Sequence, residues 1–415
     1  MTTHSDIPHK KPFRLTRNVW VTTITSFLTD VSSEMINNLL PLFLANVLGV
    51  STAVIGLIEG IAEMTSSFLK AFSGWLSDKI GNRKWLAVAG YAISACAKPF
   101  FYFVTTWGGV LAIRFADRTG KGIRNSPRDA LIADSTDEQH RGIAFGVHRA
   151  GDTAGAVLGI GIALLVVLAT QAGSLTLSRD TFQILVLIGI IPAFLAVIAL
   201  ATLAKEAPRK KTSIQPMRLN WGALSPDFKF FLLIVGIFTL GNSSDAFIIL
   251  RAQERGLTIA DILGMLLMFN LIYAVFSSPL GALSDKIGRK RILIGGWLVY
   301  GVLYLCFALA TDGMQIWLIY ALYGLYYAAA EGTAKAMIAD LIPSEQRGTA
   351  YGYYNALVGF MAFPASLLAG VLWQGVGSWT GFGASAPFLF GAMLALIAAG
   401  LLIVFGRKRG VAVAD

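Results

Sequence analysis

The sequence predicts an all-α integral membrane protein with twelve transmembrane helices in two pseudo-symmetric six-helix bundles. Three observations support this fold class: the composition is strongly apolar, long apolar runs recur along the chain, and segments of the first half return in the second. Of the 415 residues, 55% are hydrophobic and 14% are charged, and the mean hydropathy is +0.64. Soluble chains carry a much larger charged share, so the main solvent of this chain is lipid.

The apolar runs define the helices, because a spanning helix needs roughly 20 predominantly apolar residues. Helices 1 to 12 are predicted at 18–44, 53–76, 84–105, 107–133, 142–170, 181–204, 228–250, 258–283, 291–311, 315–341, 348–373 and 386–406. Alternate loops hold nearly all lysines and arginines, which indicates that these loops are cytoplasmic. We therefore expect a multi-pass protein of the bacterial inner (plasma) membrane with both termini in the cytoplasm.

The same loops divide the chain into five parts. The predicted parts are a cytoplasmic tail, a first bundle, a cytoplasmic linker, a second bundle and a second cytoplasmic tail, at 1–17, 18–204, 205–227, 228–406 and 407–415. The linker is the longest loop and is polar, with Pro208 and Pro216.

Several function classes are disfavoured by the sequence. The net charge of +10 resides mainly in loops between apolar runs, so membrane topology explains it better than nucleic-acid binding. No phosphate-binding loop, nucleophile elbow or His-Glu-x-x-His motif is present, so we expect neither enzymatic activity nor a cofactor. His148 is interpreted as a helix cap or as part of a polar network rather than as a metal ligand. The expected partners are a small molecule and the lipid bilayer, and the expected state is a monomer.

An internal repeat links the two halves. Residues 74–81 read Gly-Trp-Leu-Ser-Asp-Lys-Ile-Gly and residues 281–288 read Gly-Ala-Leu-Ser-Asp-Lys-Ile-Gly, with seven of eight positions identical at an offset of 207. A second echo, at an offset of 206, aligns Asp134 and Arg141 with Asp340 and Arg347. The six-helix half is therefore duplicated.

The repeated loop, Gly-x-Leu-x-Asp-x-x-Gly followed by basic residues, resembles the signature loop of the major facilitator superfamily. The second copy continues with Arg289 and Lys290, whereas the first has Asn82 before its basic pair. The resemblance implies a secondary transporter, most like twelve-helix drug/proton antiporters, in which two bundles rock about a midplane cavity lined by helices 1, 4, 7 and 10.

The loops are candidate gating elements, because glycines permit a short turn and the aspartates can pair with cationic loop residues. The alternative is a basic loop that only sets topology. The candidate gating residues are Gly74, Asp78, Gly81, Arg83, Lys84, Gly281, Asp285, Gly288, Arg289 and Lys290.

Ionisable residues inside predicted helices are costly in lipid, so each is a functional candidate. Helix 1 carries Asp30 and Glu34 on one face, and helix 7 carries Asp245, aligned here with Glu34 as its repeat equivalent. Both halves are thus expected to present a carboxylate to one cavity. The proton-coupling candidates are Asp30, Glu34, Arg114, Asp117 and Asp245.

Helix 4 carries a charged stripe that its repeat, helix 10, lacks. Arg114 resembles in position the helix-4 arginine of proton-coupled members, with Arg118 where that family has glycine. Helices 1, 2, 4 and 5 together hold seven basic and seven acidic residues, which predicts an internal ion-pair network. The network either only holds helices together or also moves protons, with Glu34 and Asp30 titrating against Arg114 and Arg118.

The remaining site predictions follow from depth and face. Helices 4 and 5 run antiparallel, which predicts the pairs Arg124 with Asp152 and Asp129 with Arg149. Glu331 either binds substrate or is neutralised by Lys335. The substrate-binding candidates are Asn37, Asn38, Arg118, Lys121, Arg149, Asn242, Glu331 and Asn355.

Helix 5 carries a ladder of glycines, at Gly151, Gly155, Gly159 and Gly161, which predicts close helix packing. It also resembles the glycine-rich helix-5 motif of drug/proton antiporters, without the proline of that motif. The leading functional hypothesis is proton-coupled efflux of a small toxic or foreign molecule by alternating access. The alternatives are transport of an anionic organic metabolite, export of a divalent metal cation, a passive channel, or a receptor with a transporter fold.

Overall fold

A computed structural model describes residues 15–207, 221–342 and 347–407. Within these ranges the chain is helical, apart from turns and an isolated β-bridge between Val376 and Trp379. Most of the predicted tails and linker lies outside the described residues, and so do the side chains at the predicted positions Gly281, Asp285, Glu331 and Lys335.

The predicted order of twelve helices is confirmed. Helices α1 to α12 span Arg17–Asn37, Thr52–Ile80, Arg83–Ala97, Trp107–Asp134, Arg141–Gln171, Arg179–Leu203, Pro226–Gly241 with Ala246–Glu254, Ile259–Ile287, Arg289–Leu309, Gly313–Leu341, Arg347–Gln374 and Ala386–Arg407. Helix α1 continues through Leu40–Leu42 into a π-helical turn, Phe43–Val47, and α3 continues into a 3₁₀ turn, Lys98–Tyr102. Helix α7 is interrupted between its two segments.

Eight helices of the described ranges are long and apolar enough to cross a membrane by length and composition: α2, α5, α6, α7, α8, α9, α11 and α12. Helices α1 and α4 are not among them, and both carry several ionisable residues. Because a charged face is costly in lipid, these two helices need a polar interior to face.

The glycine ladder of α5 packs against α1, as predicted. A Cβ atom placed on Gly155 would lie 2.5 Å from the carbonyl oxygen of Phe27, and one on Gly159 would lie 2.5 Å from that of Val31. Backbone cannot yield as a flexible side chain can, so only glycine fits this helix crossing.

We expect Gly155→Ala to lower the free energy of unfolding by about 1–3 kcal/mol, the range for overpacking a tight site. Gly161 lies on the same helix, and a Cβ atom placed on it would meet no heavy atom of another helix within 4 Å, so Gly161→Ala is the matched control. Thermal unfolding of the two purified variants measures the difference. Equal melting temperatures for both would contradict the close crossing.

The repeated loops form tight turns at one end of the bundle, here called the basic end. Gly81 and Gly288 adopt positive φ angles of 74° and 99°, which explains the glycines at both copies. Asn82 accepts a hydrogen bond from Trp85 N at 3.1 Å, so the departure from the family motif supplies an N-cap for α3.

Arg83 forms ion pairs that connect the first repeated loop to the end of α4. It contacts Asp78 at 3.4 Å and Asp134 at 2.9 Å, while Glu206 accepts from the backbone N–H groups of Arg83 and Lys84 at 2.9 Å each. The predicted pairing of Asp78 with a cationic loop residue is therefore present. Asp78, Arg83 and Asp134 all belong to the first half, and the role of this loop in gating stays a prediction.

Candidate functional site

A cavity of about 410 Å³ lies between the two halves. Helices α1, α2 and α4 form one side, and α7, α10 and α11 form the other. The resemblance implied helices 1, 4, 7 and 10, and the structure adds α2 and α11. The polar and ionisable lining residues are Asp30, Ser33, Glu34, Asn37, Asn38, Glu59, Glu63, Arg114, Asp117, Arg118, Lys121, Arg124, Thr239, Asn242, Ser243, Ser244, Asp245, Tyr323, Tyr327 and Ser366.

Helix α1 contributes the acidic stripe expected from its spacing. Asp30, Glu34 and Asn37 recur at three- and four-residue intervals and therefore share a face. The α-helix ends at Asn37, and the Asn38 amide donates to the Glu34 carboxylate at 2.9 Å and to its backbone carbonyl at 3.1 Å. The end of this helix thus holds one oxygen of the candidate titrating group.

The arginines of α4 pair with helix α2. Arg114 contacts Glu59 at 3.0 Å and donates to the Asn37 side chain at 2.6 Å. One turn on, Arg118 contacts Glu63 at 3.1 Å. The prediction that these arginines pair with Glu34 and Asp30 of helix 1 is therefore wrong. The reason is the tight crossing of α2 and α4, which brings equally spaced acidic and basic residues into register.

Arg124 does not pair with Asp152, contrary to the prediction. Its guanidinium donates to the Ser94 hydroxyl at 3.1 Å and lies over the Tyr91 ring, 4.5 Å from the centroid. Asp152 instead lies 3.7 Å from the imidazole of His148, one turn earlier on the same helix. Neither imidazole nitrogen of His148 has a hydrogen-bond partner among the described residues, so its capping or network role stays a prediction.

The predicted pair of Asp129 with Arg149 is also wrong. Asp129 contacts its neighbour Arg128 at 2.8 Å, and Arg149 donates to the Tyr273 hydroxyl of α8. Helix α4 lies mainly against α2 and α3, whereas α5 lies mainly against α1 and α8. Helices α4 and α5 are therefore not close neighbours, although one follows the other in the chain, and equal depth did not imply contact.

Two further substrate candidates, Arg149 and Asn355, do not line the cavity. Arg149 faces α8, and Asn355 lies about one turn closer to the basic end than Val358, the nearest lining residue of α11. The prediction for Glu331 lies outside the described side chains. All other proton-coupling and substrate candidates meet in this cavity.

Lys98 was missed by the sequence analysis. Its side chain is only 2% exposed, and its ammonium donates to the hydroxyls of Ser32 and Ser33 on α1 at 2.8 and 3.0 Å. Asp117, Asp30 and Glu34 are acidic groups whose charges act on this ammonium. The first half thus buries one more positive charge than the predicted balance contained.

The interruption of α7 places Asp245 at the cavity. Asp245 accepts a hydrogen bond from the Tyr323 hydroxyl of α10 at 3.3 Å. Helices α2 and α8 have equal lengths and begin 207 residues apart, an offset that aligns Asp245 with Asn38. The predicted repeat equivalence with Glu34 is therefore wrong, although both halves do present a carboxylate to one cavity.

Helix α10 supplies an aromatic wall, to which the sequence analysis assigned no function. Tyr320, Tyr323 and Tyr327 stand at helical spacing, and all three rings contact Phe269 of α8 with centroids 4.9, 5.9 and 5.7 Å away. Tyr323 and Tyr327 also line the cavity. Their i, i+4 spacing was the available signal, but such spacing equally indicates ordinary core packing.

Polar bonds join the halves at the end away from the basic loops, here called the opposite end. Asn46 and Gln253 exchange side-chain hydrogen bonds at 3.1 and 2.6 Å, and the Thr52 amide donates to Gln374 at 2.7 Å. Asn46 and Gln253 are 207 residues apart, so they are equivalent positions of the repeat that meet each other. In this conformation, polar side chains of the two halves bond directly to each other at the opposite end.

Comparison with known proteins agrees with this architecture. The family model of the Major Facilitator Superfamily matches residues 22–267 and 231–413. An uncharacterized MFS-type transporter of Methanocaldococcus jannaschii is 39% identical over 397 residues, covering 94% of this chain and 95% of the relative. The multidrug resistance protein MdtG of Enterobacter lignolyticus is 25% identical over 359 residues, covering 84% and 81%.

Among solved structures, a D-xylose–proton symporter superposes with a TM-score of 0.74 at 17% identity, covering 94% of this chain and 97% of the symporter. At that identity the likeness shows the fold alone. The family's members act as membrane transporters of small molecules rather than as enzymes. The match along the whole chain, the relative at 39% identity and the shared twelve-helix architecture together place it in one family. This chain belongs to the major facilitator superfamily of membrane transporters.

Proposed function

We propose that the protein is a proton-coupled exporter of small toxic or foreign molecules that works as a monomer in the inner (plasma) membrane, with both termini in the cytoplasm. The observation that carries the proposal is the meeting of carboxylates from both halves, Glu34 and Asp245, in one cavity beside a network of arginines. The likeness to MdtG, a multidrug resistance protein, supports the direction of transport and the kind of substrate.

Protonation supplies a route to coupling. A carboxylate that gains a proton loses its attraction for neighbouring cations, and the network of basic residues then favours a different arrangement of the helices. Glu34 is held by Asn38 at the end of α1, where the helix gives way to the Leu40–Leu42 segment and its π-helical turn. A change in its charge would therefore act on the part of α1 that leads to the Asn46–Gln253 bonds.

The test uses bacterial cells that lack their own efflux pumps and a panel of cationic, neutral and anionic toxic compounds. We expect the protein to lower the accumulation of at least one compound, and a protonophore to abolish this effect. Glu34→Gln should raise accumulation to the level of cells without the protein, because the glutamine cannot carry the proton.

Asp312→Asn is the matched control, because it removes a carboxylate but keeps the side-chain oxygen that caps α10 by accepting from Gln315 N at 3.0 Å. This variant should export normally. Export by Glu34→Gln that remains both complete and protonophore-sensitive would rule out Glu34 as the coupling group. Export that ignores the protonophore in the unmodified protein would rule out proton coupling.

An anionic substrate is the second candidate, and one observation favours it. Lys121 lines the cavity, and no ion pair of the described residues includes it. Divalent metal export has no comparable support, since the described residues contain no group of three or more His, Cys, Asp or Glu side chains suited to a metal ion.

A further inference from the structure

We propose that the second half of the cavity holds a subsite for a positively charged group, so that the transported molecule is an organic cation whose charge lies against Asp245 and the tyrosines of α10. This inference rests on the proposed function and assigns the substrate class of the same cavity. It concerns Asp245, Tyr323 and Tyr327, which the cavity brings together from α7 and α10.

Asp245 differs from the carboxylates of α2 in having no arginine partner. Glu59 and Glu63 each contact an arginine of α4, whereas no ion pair within the described part of the chain includes Asp245. Asp245 precedes the second segment of α7, but its side chain makes no capping hydrogen bond there. The Tyr323 hydroxyl is its hydrogen-bond partner, at 3.3 Å.

The tyrosines add a second attraction for a cation. An aromatic face carries partial negative charge and attracts an ammonium or similar group, more strongly where water is excluded. Tyr323 is 1% exposed and stacks between Tyr320 and Tyr326, with centroids 5.7 and 5.6 Å away, so its faces are covered and it contributes its hydroxyl. The half-buried Tyr327 is the ring that offers a face to the cation. Because these rings support one another, the wall beside Asp245 is preorganised.

The charges that line the cavity also favour a positively charged ligand. Among the described side chains, six carboxylates and four basic groups line it, and the buried Lys98 behind α1 adds one more positive charge. Once the two arginine–glutamate pairs are set aside, four of these carboxylates remain, at Asp30, Glu34, Asp117 and Asp245. They outnumber the remaining basic side chains. A ligand with a positive charge improves this balance, and one with a negative charge worsens it.

The test compares two probes of nearly the same size and shape but opposite charge, tetraphenylphosphonium and tetraphenylborate. Thermal unfolding of the purified protein, titrated with each probe, reports binding, since a ligand of the folded state raises the melting temperature. We expect stabilisation by tetraphenylphosphonium and not by tetraphenylborate. Asp245→Asn should weaken the response to tetraphenylphosphonium at least tenfold in probe concentration, whereas Asp245→Glu should retain most of it.

The amount of probe that dissolves in the detergent is the same for all variants, so differences between variants report binding at the site. Should Asp245→Asn fail to fold, Tyr327 provides an independent comparison: Tyr327→Leu should weaken the response severalfold, and Tyr327→Phe should keep the aromatic face and most of the response. The subsite would be overturned if tetraphenylphosphonium stabilised both Tyr327 variants equally. It would also be overturned if the probe stabilised Asp245→Asn as well as the unmodified protein. Stronger stabilisation by tetraphenylborate would favour the anionic substrate class.

The cell assay distinguishes failure of this inference from failure of the proposed function. Protonophore-sensitive export of an anionic or neutral compound, unaffected by Asp245→Asn, would leave a proton-coupled exporter whose substrate is not a cation. If the unmodified protein exported no compound of the panel, both the proposed function and the subsite would be contradicted.

Discussion

Arg114→Met is expected to lower the free energy of unfolding by about 3–5 kcal/mol, because it removes one partner of a buried ion pair and leaves the other charge uncompensated. The side chains of Arg114 and Glu59 are 3% and 6% exposed, and their charged atoms are 3.0 Å apart. One oxygen of Glu59 is buried without a hydrogen-bond partner even with the arginine in place. The Asn37 amide oxygen would lose its donor as well.

The double variant Glu59→Gln with Arg114→Met tests the cause. Without the lone carboxylate, most of the lost stability should return, so the two changes should be strongly non-additive. Equilibrium unfolding in mixed micelles, followed for both single variants and the double variant, gives the coupling energy. A double variant as unstable as Arg114→Met alone would show that the arginine acts through packing or through Asn37 instead.

The neighbouring pair, Arg118 with Glu63, is a control built into the same two helices. Its distance is similar, 3.1 Å, but the Glu63 side chain is 44% exposed to the cavity. Solvated ion pairs contribute only about 0–1 kcal/mol. Arg118→Met should therefore have a much smaller effect on unfolding than Arg114→Met, although both remove an arginine from one helix face.

The sequence sufficed to place these arginines in the interior. A charged side chain on a transmembrane helix must avoid lipid, so Arg114, Arg118, Asp30 and Glu34 had to meet somewhere between helices. The helix order, the duplicated loops and the glycine ladder were accessible for similar reasons, because apolar length, repetition and glycine spacing are properties of the chain itself.

The partners of these side chains could not be predicted from the sequence. Helical periodicity gives the face of a residue but not the neighbouring helix that this face meets. Arg114 could pair with Glu34 or with Glu59 until the packing of α4 against α2 decided between them. Likewise, Arg124 and Asp152 were predicted to lie at equal depth, but their helices pack against different neighbours.

The aromatic wall and Lys98 were missed for a different reason, which is that their patterns have ordinary explanations. Tyrosines at helical spacing are most often core residues, and Tyr320 is indeed buried. Lys98 lies seven residues before the predicted end of helix 3, where a lysine often extends toward the membrane surface. Only the structure shows that its ammonium turns inward to Ser32 and Ser33.

Lys98→Met should reduce gradient-driven export at least about tenfold while leaving thermal stability unchanged or slightly raised. The Lys98 ammonium is buried, and no ion pair in the described ranges includes it. Burying a charge in this way is unfavourable, so a methionine of similar length should be tolerated by the fold. Function should suffer, because Asp117, Asp30 and Glu34 lose the electrostatic partner that Lys98 provides from α3.

The two readouts separate the possible roles of this lysine. A purely structural Lys98 would give a variant that melts several degrees lower and exports in proportion to the amount of folded protein. A coupling role gives a stable variant whose export no longer depends on the proton gradient. Lys98→Arg keeps the charge beside the two serines and should therefore restore part of the gradient-driven export, which a structural requirement for the slender lysine stem would not allow.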